Sequence, residues 1–338
     1  MIDIPYEFAG TVEFTPYSEL VERFEAFDQH AIIGKDATNE YDLYLIELGD
    51  PEKPTLMITS VVHGSEWQSV SYSLAFMEQL SNDTFPDQEL RNLLLSNFHI
   101  AYIPVVNPWG YEETTKYART KGRLNSTGTN LNRDFGEFKD PETRAVRDVM
   151  LEFKPFAFVD LHLIRGRNVE NYLMLESYND YVSYIRDLWL TSLQDYSGYS
   201  TGRWLSGEEV DGLATKYMNE QKNDHTPHTL SYIVEITRPV QEEQGFVAPL
   251  TDSEIYKFGM ANLYLFFKTS IDYYKKYNKS IITEVFTPTG KATIIRNNQG
   301  IVQTIEEVKH DKTIETTFER NNDGIVQRII RAIKNFIN

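Results

Sequence analysis

Five short segments rich in aliphatic and aromatic residues, alternating with helical patterns, most constrain how this chain of 338 residues can fold. The segments predict buried strands at residues 43–48, 55–62, 99–106, 156–161 and 232–236. Apolar positions at helical spacing, with an Asp-Pro-Glu helix start in the second case, predict helices at residues 66–80, 140–153 and 253–276. Strands that alternate with helices in this way are typical of an α/β fold with a mixed or mostly parallel sheet.

The C-terminal part of the chain has a different pattern, because one octapeptide occurs in it twice. The sequence Arg-Asn-Asn-x-Gly-Ile-Val-Gln begins at Arg296 and again 24 residues later at Arg320. In each copy an Asn-x-Gly turn is flanked by β-branched residues, which is typical of a β-hairpin. We therefore predict two domains, residues 1–280 and residues 281–338, the second a small antiparallel β-hairpin module. A short helix over residues 324–338 is the alternative for its end.

The composition excludes several classes of protein. The chain has no cysteine, which excludes disulfides, a thiol nucleophile and thiolate metal sites, so any metal ion must be held by His, Asp or Glu. The formal net charge is −17, and residues 281–338 hold 8 Lys/Arg and 7 Asp/Glu, so the acidity lies in residues 1–280. A body this acidic is a poor partner for nucleic acid or an anionic membrane.

The chain shows no targeting or membrane signal. Its N-terminal residues have neither a basic region nor an apolar core, so we expect no signal peptide. No apolar segment approaches the roughly 18 residues of a membrane span, so we expect no transmembrane segment. These expectations favour a cytoplasmic or virion-associated location.

A His-x-x-Glu motif follows one predicted strand directly, and another histidine ends a second strand. His63 and Glu66 lie just after the first of these strands, and His162 ends the second. In α/β sheets this carboxyl edge is the usual ligand site, and two histidines with one glutamate are a ligand set of catalytic zinc. Taken singly, each residue has an ordinary explanation as a capping glutamate, a surface histidine or a core histidine. His225 and His228 form a weaker alternative pair.

Two further segments contain charged groups of the kinds used in catalysis. Residues 123–135 combine two arginines with several amides, and a guanidinium fork can bind a carboxylate or stabilise an oxyanion. On composition alone, a solvated surface loop is the favoured interpretation of this segment. Glu235 interrupts an apolar strand, where burial would raise its pKa and suit it to act as a general base. The alternative is a glutamate on a solvent-facing position of the strand.

Taken together, these segments resemble the zinc metallocarboxypeptidases related to carboxypeptidase A. The resemblance covers roughly residues 50–240 and consists of five motifs in the family's order. The motifs are His63-Gly-Ser-Glu66-Trp67, Asn107-Pro-Trp-Gly-Tyr-Glu112, Arg123-x-Asn125 followed by Asn132-Arg133, Asp160-Leu-His162 and Val234-Glu235-Ile236. The family fold is a mixed eight-stranded sheet flanked by helices, here followed by the β-hairpin module.

The resemblance implies roles for the residues at the strand ends. His63, Glu66 and His162 would bind zinc, which is therefore the expected cofactor. Glu235 would activate a metal-bound water as general base and then pass the proton to the leaving amine.

The resemblance also implies roles in the loops. Arg123 would polarise the scissile carbonyl together with zinc, and Arg119 is a rival for this task. Asn132 and Arg133 would bind the free carboxylate of the substrate's terminal residue. The family's mobile active-site tyrosine has no clear counterpart, and Tyr217 is our prediction for it.

The chain departs from the family pattern at three positions near the predicted zinc site. Asn130 stands where the family usually has an aspartate that supports the first zinc histidine, so an amide oxygen would accept the imidazole N–H without a charge. Leu163 replaces a serine that commonly follows the third ligand. Ser65 stands where the animal enzymes have an arginine.

We predict a zinc-dependent metallopeptidase that hydrolyses the peptide bond next to a free C-terminal carboxylate, in a peptide or a cell-wall peptide. One alternative is a deacylase of N-acyl amino acids, of the succinylglutamate desuccinylase and aspartoacylase type, although the motif at residues 107–112 favours peptidases. Another is a structural or binding component of a phage tail or cell surface. Under any of these interpretations, we expect residues 281–338 to serve assembly or docking, in a homo-oligomer or a larger assembly.

The preference for the terminal side chain stays open at this point. The segment between His162 and Glu235 should line that pocket, and it contains both acidic and basic residues. These are Glu208, Glu209, Asp211, Lys222 and Asp224.

Overall fold

The structure is a computed structural model, and the chain in it divides into two compact units, Met1–Ser270 and Ile271–Asn338. The division falls before residue 280, inside a long helix. Apart from the strands of the second unit, the residues that the structure describes are 1–165, 170–176, 180–204, 210–242, 245–247 and 250–278.

Eight strands within these ranges form the central sheet of the first unit. In chain order they are β1 (His30–Lys35), β2 (Asp42–Gly49), β3 (Thr55–Ser60), β4 (His99–Ile103), β5 (Ala157–Arg165), β6 (Tyr172–Glu176), β7 (Thr201–Arg203) and β8 (Leu230–Arg238). Their order across the sheet is β1-β2-β4-β3-β5-β8-β6-β7. A separate small hairpin follows, made of β9 (Val240–Glu242) and β10 (Gly245–Val247).

The middle of the sheet is parallel and its edges are mixed. Strands β4, β3, β5 and β8 run parallel, whereas β1, β2 and β6 join them through antiparallel pairs. The five predicted strands are all present, and the predicted α/β fold with a mixed sheet is confirmed. Three strands of this sheet that the sequence did not predict, β1, β6 and β7, lie outside its parallel middle, with β1 and β7 at the two edges and β6 next to β7.

Helices connect and cover these strands. Those in the described residues are α1 (Tyr17–Glu25), α2 (Gln68–Ser81), α3 (Gln88–Asn97), α4 (Pro108–Glu113), α5 (Pro141–Phe153), α6 (Asp180–Ser197), α7 (Ala214–Glu220) and α8 (Asp252–Tyr277), with 3-10 helices at Gly64–Glu66 and Leu131–Arg133. The three predicted helices correspond to α2, α5 and α8. In the described part of the chain, no helix combines the length and the apolar character needed to cross a membrane.

Different helices cover the two faces of the sheet. Val159 of β5 pairs in register with Tyr232 of β8, so Tyr232 and Phe158 face opposite sides. Phe158 belongs to a buried cluster that includes residues of α5 and α7. Tyr232 contacts Trp189 of α6, which also contacts Phe266 of α8. With both faces covered, the ends of the parallel strands are the edge at which polar groups can meet a ligand.

Strand register brings the predicted site residues to one edge of the sheet. Asp160 of β5 pairs with Thr59 of β3, and His162 of β5 pairs with Glu235 of β8. Because side chains alternate along a strand, Asp160 and His162 share a face, and so do their register partners. The fold therefore places His162 beside Glu235 at the carboxyl end of the parallel strands.

The second unit contains a five-stranded antiparallel sheet among its described residues. Its strands, in both chain and spatial order, are β11 (Thr283–Thr287), β12 (Gly290–Arg296), β13 (Val302–Lys309), β14 (Lys312–Arg320) and β15 (Val326–Asn335). The two octapeptide repeats join β12 to β13 and β14 to β15, as expected for hairpins, although the turns themselves lie outside the described residues. The alternative of a short terminal helix is wrong, since β15 occupies most of that segment.

Candidate metal centre and catalytic pocket

The segment that carries His63 and Glu66 leaves the sheet in a tightly packed turn. Gly64–Glu66 forms a short 3-10 helix directly after His63. A side chain at Gly64 would collide with the backbone of Gly110 and Tyr111 in α4. Glycine at this position therefore lets the turn that carries His63 and Glu66 pack against α4.

Backbone strain is present next to this turn. Val61 has a φ of 54°, a left-handed conformation that is rare for a β-branched residue. The Val61 N–H donates to Oγ of Ser69, and its carbonyl accepts from the N–H of Asn107. These two contacts hold the chain in the bend that directs His63 toward the edge of the sheet.

His63, Glu66 and His162 bring three ligand atoms within 4.8 Å of one another. Nδ1 of His63 lies 2.9 Å from Oε1 of Glu66, and Nδ1 of His162 lies 3.0 Å from Oε2. The two Nδ1 atoms are only 3.3 Å apart, and all three side chains are buried. Over the described residues this is the one group able to hold a metal ion, so the alternative pair His225 and His228 does not form such a group.

The other imidazole nitrogens face hydrogen-bond acceptors. Nε2 of His162 lies 2.7 Å from Oδ2 of Asp160, and Oδ1 of Asp160 accepts from the Thr59 hydroxyl at 2.8 Å. Nε2 of His63 lies 2.9 Å from Oδ1 of Asn130, an atom that also accepts the N–H of Asn132 and is therefore the amide oxygen. Both histidines can thus donate from Nε2, which leaves Nδ1 of each ring facing Glu66.

The electrostatics of this group fit a divalent cation. Burial lowers the pKa of His63, whereas the pKa of Glu66 is held well below its usual value by both histidines against the cost of burial. Burial also disfavours the charged form of His162, but Asp160 and Glu66 hold its pKa well above the usual value. A cation among these atoms would replace the proton on Nδ1 of His162, so metal binding is coupled to proton release. Two imidazole nitrogens and one carboxylate are a donor set that suits zinc.

Glu235 lies beside this group at the end of β8. Its side chain is buried, and its Oε2 has no hydrogen-bond partner. Burial, together with the nearby carboxylate of Glu66, raises the pKa of Glu235 to about 8. A carboxyl group with a pKa near neutrality and one free oxygen can both accept and return a proton.

A cavity of about 200 Å³ is lined by His63, Glu66 and Glu235. Arg123, Asn132 and Arg133, the predicted substrate-contacting residues of the loop, line the same cavity. The segment of residues 123–135 therefore reaches the site, and its interpretation as a solvated surface loop is not supported. Arg119, the rival of Arg123, also lines it.

The loop residues differ in how they are held. Arg123 donates from Nη1 to Oε1 of Glu66 at 3.0 Å, so it reaches the metal-binding carboxylate. The Asn132 side chain contacts both α7 and β5. Its Oδ1 accepts from the N–H of Ala214, and its Nδ2 lies 3.3 Å from Nε2 of His162. Arg133 is more exposed, and its Nη1 donates to the carbonyl of Asn132 at 2.5 Å.

The structure does not bring Tyr217 to the cavity. Tyr217 lies on α7 and packs edge-on against Phe138, with ring centroids 4.9 Å apart. The helix turns Ala214 and Met218 into the core, and this register leaves Tyr217 against Phe138 at the margin of the hydrophobic cluster. The cavity has no tyrosine among its described lining residues, so the prediction for Tyr217 is corrected.

Four residues of the site had no role in the sequence analysis. Asp160 supports His162, and its signal was a charged residue inside an apolar strand, the same signal that singled out Glu235. Trp204, Arg165 and Arg238 line the cavity. Arg165 and Arg238 are the last residues of β5 and β8, so their position at strand ends could have indicated a place in the site. Trp204 follows β7 in a segment whose sequence shows no helical or strand pattern.

A buried His-Glu-His group with a basic glutamate beside it, at the carboxyl edge of an α/β sheet, defines a metal-dependent hydrolase. The chain matches the zinc carboxypeptidase family over residues 30–235. It therefore belongs to the zinc carboxypeptidase family and is a metallopeptidase.

Solved structures show the same fold. A metallo-carboxypeptidase from Burkholderia cenocepacia is 18% identical, with a TM-score of 0.57 over 76% of this chain and 68% of that chain. Bovine thrombin-activatable fibrinolysis inhibitor, in complex with tick carboxypeptidase inhibitor, is 17% identical, with a TM-score of 0.59 over 77% of this chain and 98% of that chain. A metallo-carboxypeptidase from Pseudomonas aeruginosa is 18% identical, with a TM-score of 0.56 over 76% and 68%.

Proposed function

We propose that this protein is a zinc-dependent carboxypeptidase that hydrolyses the peptide bond next to a free C-terminal carboxylate. The observation that carries the proposal is the position of Glu235. It lies with a free carboxylate oxygen beside the group formed by His63, Glu66 and His162, in a cavity that Arg133 also lines. The proposed base, two of the three proposed metal ligands and an arginine that could bind a carboxylate therefore line one cavity.

His63 and His162 would hold zinc through Nδ1, and Glu66 through its carboxylate. When bound, zinc acts as a Lewis acid that polarises a carbonyl and makes water a stronger acid. The protein's own contribution is orientation. Asn130 and Asp160 fix the imidazole rings from the far side, so the ligand atoms are placed before the cation arrives.

Glu235 would move the proton. Burial raises its pKa to about 8, so near neutral pH its carboxylate is basic enough to take a proton from water and acidic enough to give it to the leaving amine. Its free Oε2 is the atom available for this transfer.

Arg123 would stabilise the negative charge that develops on the scissile carbonyl oxygen. One of its guanidinium nitrogens contacts Glu66, which places the guanidinium next to the metal ligands. A guanidinium carries five N–H donors, so others can face the substrate. A prepositioned cation of this kind favours the oxyanion over the neutral carbonyl.

Asn132 and Arg133 would bind the terminal carboxylate. The Arg133 guanidinium contacts a backbone carbonyl but no carboxylate of the described residues, so its fork is available to a substrate. Asn132 lines the same cavity, and its side-chain amide can supply a further donor. This arrangement favours substrates whose last residue has a free carboxylate.

Peptides that differ only at the C-terminus test the proposal. The zinc-loaded full chain is incubated with N-blocked peptides carrying a free or an amidated C-terminus, and the products are identified by mass spectrometry. We expect release of the last residue from the free-carboxylate peptides only. Cleavage of both forms alike, or hydrolysis confined to small N-acyl amino acids, would contradict the carboxypeptidase proposal.

A further inference from the structure

The helix α4 is formed by the Asn107-Pro-Trp-Gly-Tyr-Glu112 motif, to which the proposed mechanism gives no role. Two segments of the site pack against this helix at Gly110. The first is the turn that carries His63 and Glu66, and the second is the segment that leads into Arg123. The helix therefore joins two of the proposed metal ligands to the arginine that is proposed to stabilise the oxyanion.

Gly122 makes the contact on the arginine segment. A methyl group on Gly122 would collide with the carbonyl oxygen of Gly110, and a methyl group on Gly110 would collide with the carbonyl oxygen of Gly122. The φ of Gly122 is 77°, a left-handed conformation that glycine adopts without steric cost. The two backbones are thus as close as two glycines permit. This close approach fixes how near the residue before Arg123 lies to α4.

Two side chains at the ends of α4 bind the same segment. Oγ1 of Thr114, at the C-terminal end of the helix, donates to the carbonyl of Lys121 at 2.8 Å. Nδ2 of Asn107, at the N-terminal end, donates to the carbonyl of Arg123 at 3.5 Å, while its Oδ1 accepts from the N–H of Gly110 at 2.9 Å. Both Thr114 and Asn107 are buried. The helix thus contacts the backbone on both sides of Gly122 as well as at Gly122 itself.

The position of this backbone decides where the Arg123 guanidinium can reach. Nη1 of Arg123 donates to Oε1 of Glu66 at 3.0 Å, and the side chain is 36% exposed, so burial alone does not fix it. A misplacement of about 1 Å in an active site can lower a reaction rate by about 100-fold. A shift of the segment away from α4 should therefore weaken stabilisation of the oxyanion more than it weakens binding of the substrate.

We propose that α4 acts as a spacer that sets the distance between Arg123 and the metal ligands, with Gly122 and Thr114 as positioning residues. This inference rests on the proposed carboxypeptidase function and extends it to residues that act through Arg123. Because the turn of His63 and Glu66 packs against α4 at Gly64, a change at Gly122 should move Arg123 and leave that turn in place.

Kinetics of the Gly122→Ala variant test the spacer. The zinc-loaded full chain and the variant are compared on the same free-carboxylate peptide. We expect kcat to fall by about tenfold or more with little change in KM, because the added methyl group displaces Arg123 from the developing oxyanion. Zinc affinity, measured by competition with a chelator, should stay at the wild-type level. An unchanged kcat, or a loss of zinc affinity as large as the loss of kcat, would overturn the inference.

Inhibition distinguishes a displaced Arg123 from a loss of folded protein. In a phosphonate analogue of the same peptide, a tetrahedral anionic group replaces the scissile amide, so its inhibition constant reports on the oxyanion site. This constant does not depend on the fraction of active protein. We expect Gly122→Ala to raise it by about the factor by which kcat/KM falls. An unchanged inhibition constant together with a lower kcat would indicate a merely structural defect and contradict the inference.

A second variant and a matched control complete the test. Thr114→Val removes the donor to Lys121 at nearly constant volume, so it should give the same kinetic pattern with a smaller amplitude, even if Gly122→Ala does not fold. Gly198→Ala is the control. Gly198 follows α6 with a φ of 73°, and a methyl group there would meet no atom of the described residues within 4 Å. It should keep the wild-type kcat and inhibition constant, and equal losses in this control would overturn the inference.

Crystal structures of the zinc-loaded wild-type protein and both site variants separate this inference from the proposed function. After superposition on His63, Glu66 and His162, we expect the Cα atom of Arg123 to be displaced in the variants. That displacement supports the spacer even if the wild-type protein cleaves no peptide, a result that would contradict the carboxypeptidase proposal alone. An Arg123 that keeps its position in both variants overturns the inference whatever the turnover.

Discussion

The two sides of the cavity are built in different ways. On the metal side, His63, Glu66 and His162 are buried, and their atoms contact one another or acceptors that fix their orientation. On the arginine side, Arg119 and Arg133 are exposed, the second at the end of a 3-10 helix, and neither contacts a carboxylate of the described residues. The three metal ligands are therefore held in place before a substrate binds, whereas Arg133 would gain its opposite charge from the substrate. The groups proposed for catalysis are thus preorganised, whereas the arginine proposed for substrate binding would find its charged partner only in the ligand.

The largest effect should come from removing the base on the metal side. We expect Glu235→Gln to lower kcat by about 10³-fold or more, at the upper range of general acid–base catalysis, because the amide cannot accept the proton. Zinc content should stay at the wild-type level, since Glu235 is not in the ligand group. Turnover and zinc content are measured on the same preparations. Retained turnover with bound zinc would remove Glu235 from the mechanism.

The acceptors behind the two histidines form a matched pair that differs in charge. Asp160→Asn should weaken zinc binding by about 10- to 100-fold, because His162 then loses a charged acceptor for its Nε2–H. Asn130→Asp makes the opposite change behind His63 and should strengthen zinc binding. Competition with a chelator of known affinity measures both. Equal zinc affinities in the two variants would show that these acceptors do not tune the site.

On the arginine side, Arg133→Gln should affect binding more than chemistry. Loss of the guanidinium should raise KM for peptides with a free C-terminus by about tenfold or more, with a smaller change in kcat. Amidated peptides should be affected less, since they lack the carboxylate. Steady-state kinetics on both peptide forms gives the answer, and an equal loss on the two would argue against carboxylate binding by Arg133.

The smallest effect concerns stability in the chelator-treated protein. The pKa of Glu235 is raised from 4.5 to about 8, so the folded state keeps its proton at pH values where the unfolded chain has lost it. The stabilisation is complete below the unfolded pKa and is lost as the pH rises through the folded pKa. Glu235→Gln cannot ionise and should therefore be the more stable protein above about pH 8, with the difference vanishing toward pH 4.5.

Urea unfolding of both proteins across this pH range checks the last prediction. The Arg147→Gln variant serves as the control, because it leaves Glu235 untouched. A stability difference that does not change with pH would indicate altered packing instead of a raised pKa.

The sequence predicted the metal side much better than the arginine side, for physical reasons. His63, His162 and Glu235 follow or interrupt buried strands, where an ionisable residue stands out against an apolar pattern. The register between β5 and β8 then places His162 next to Glu235. The fold class followed from the same strands.

The remaining residues depended on contacts that local patterns do not encode. Tyr217 was misplaced because the register of a short helix, and not its distance from Glu235 along the chain, decides which way it points. Arg238 and Trp204 reach the cavity through loop and strand-end geometry. The function of residues 281–338 stays a prediction, because the resemblance to carboxypeptidases ends before them.

Zinc content measured by mass spectrometry on the purified full chain tests the central claim most directly. We predict about one zinc ion per chain in the wild-type protein, and loss of that zinc in His63→Ala and His162→Ala variants that remain folded by circular dichroism. His225→Ala, outside the ligand group, should keep it. A wild-type chain that takes up no zinc when zinc is supplied, or histidine variants that retain it, would contradict the account.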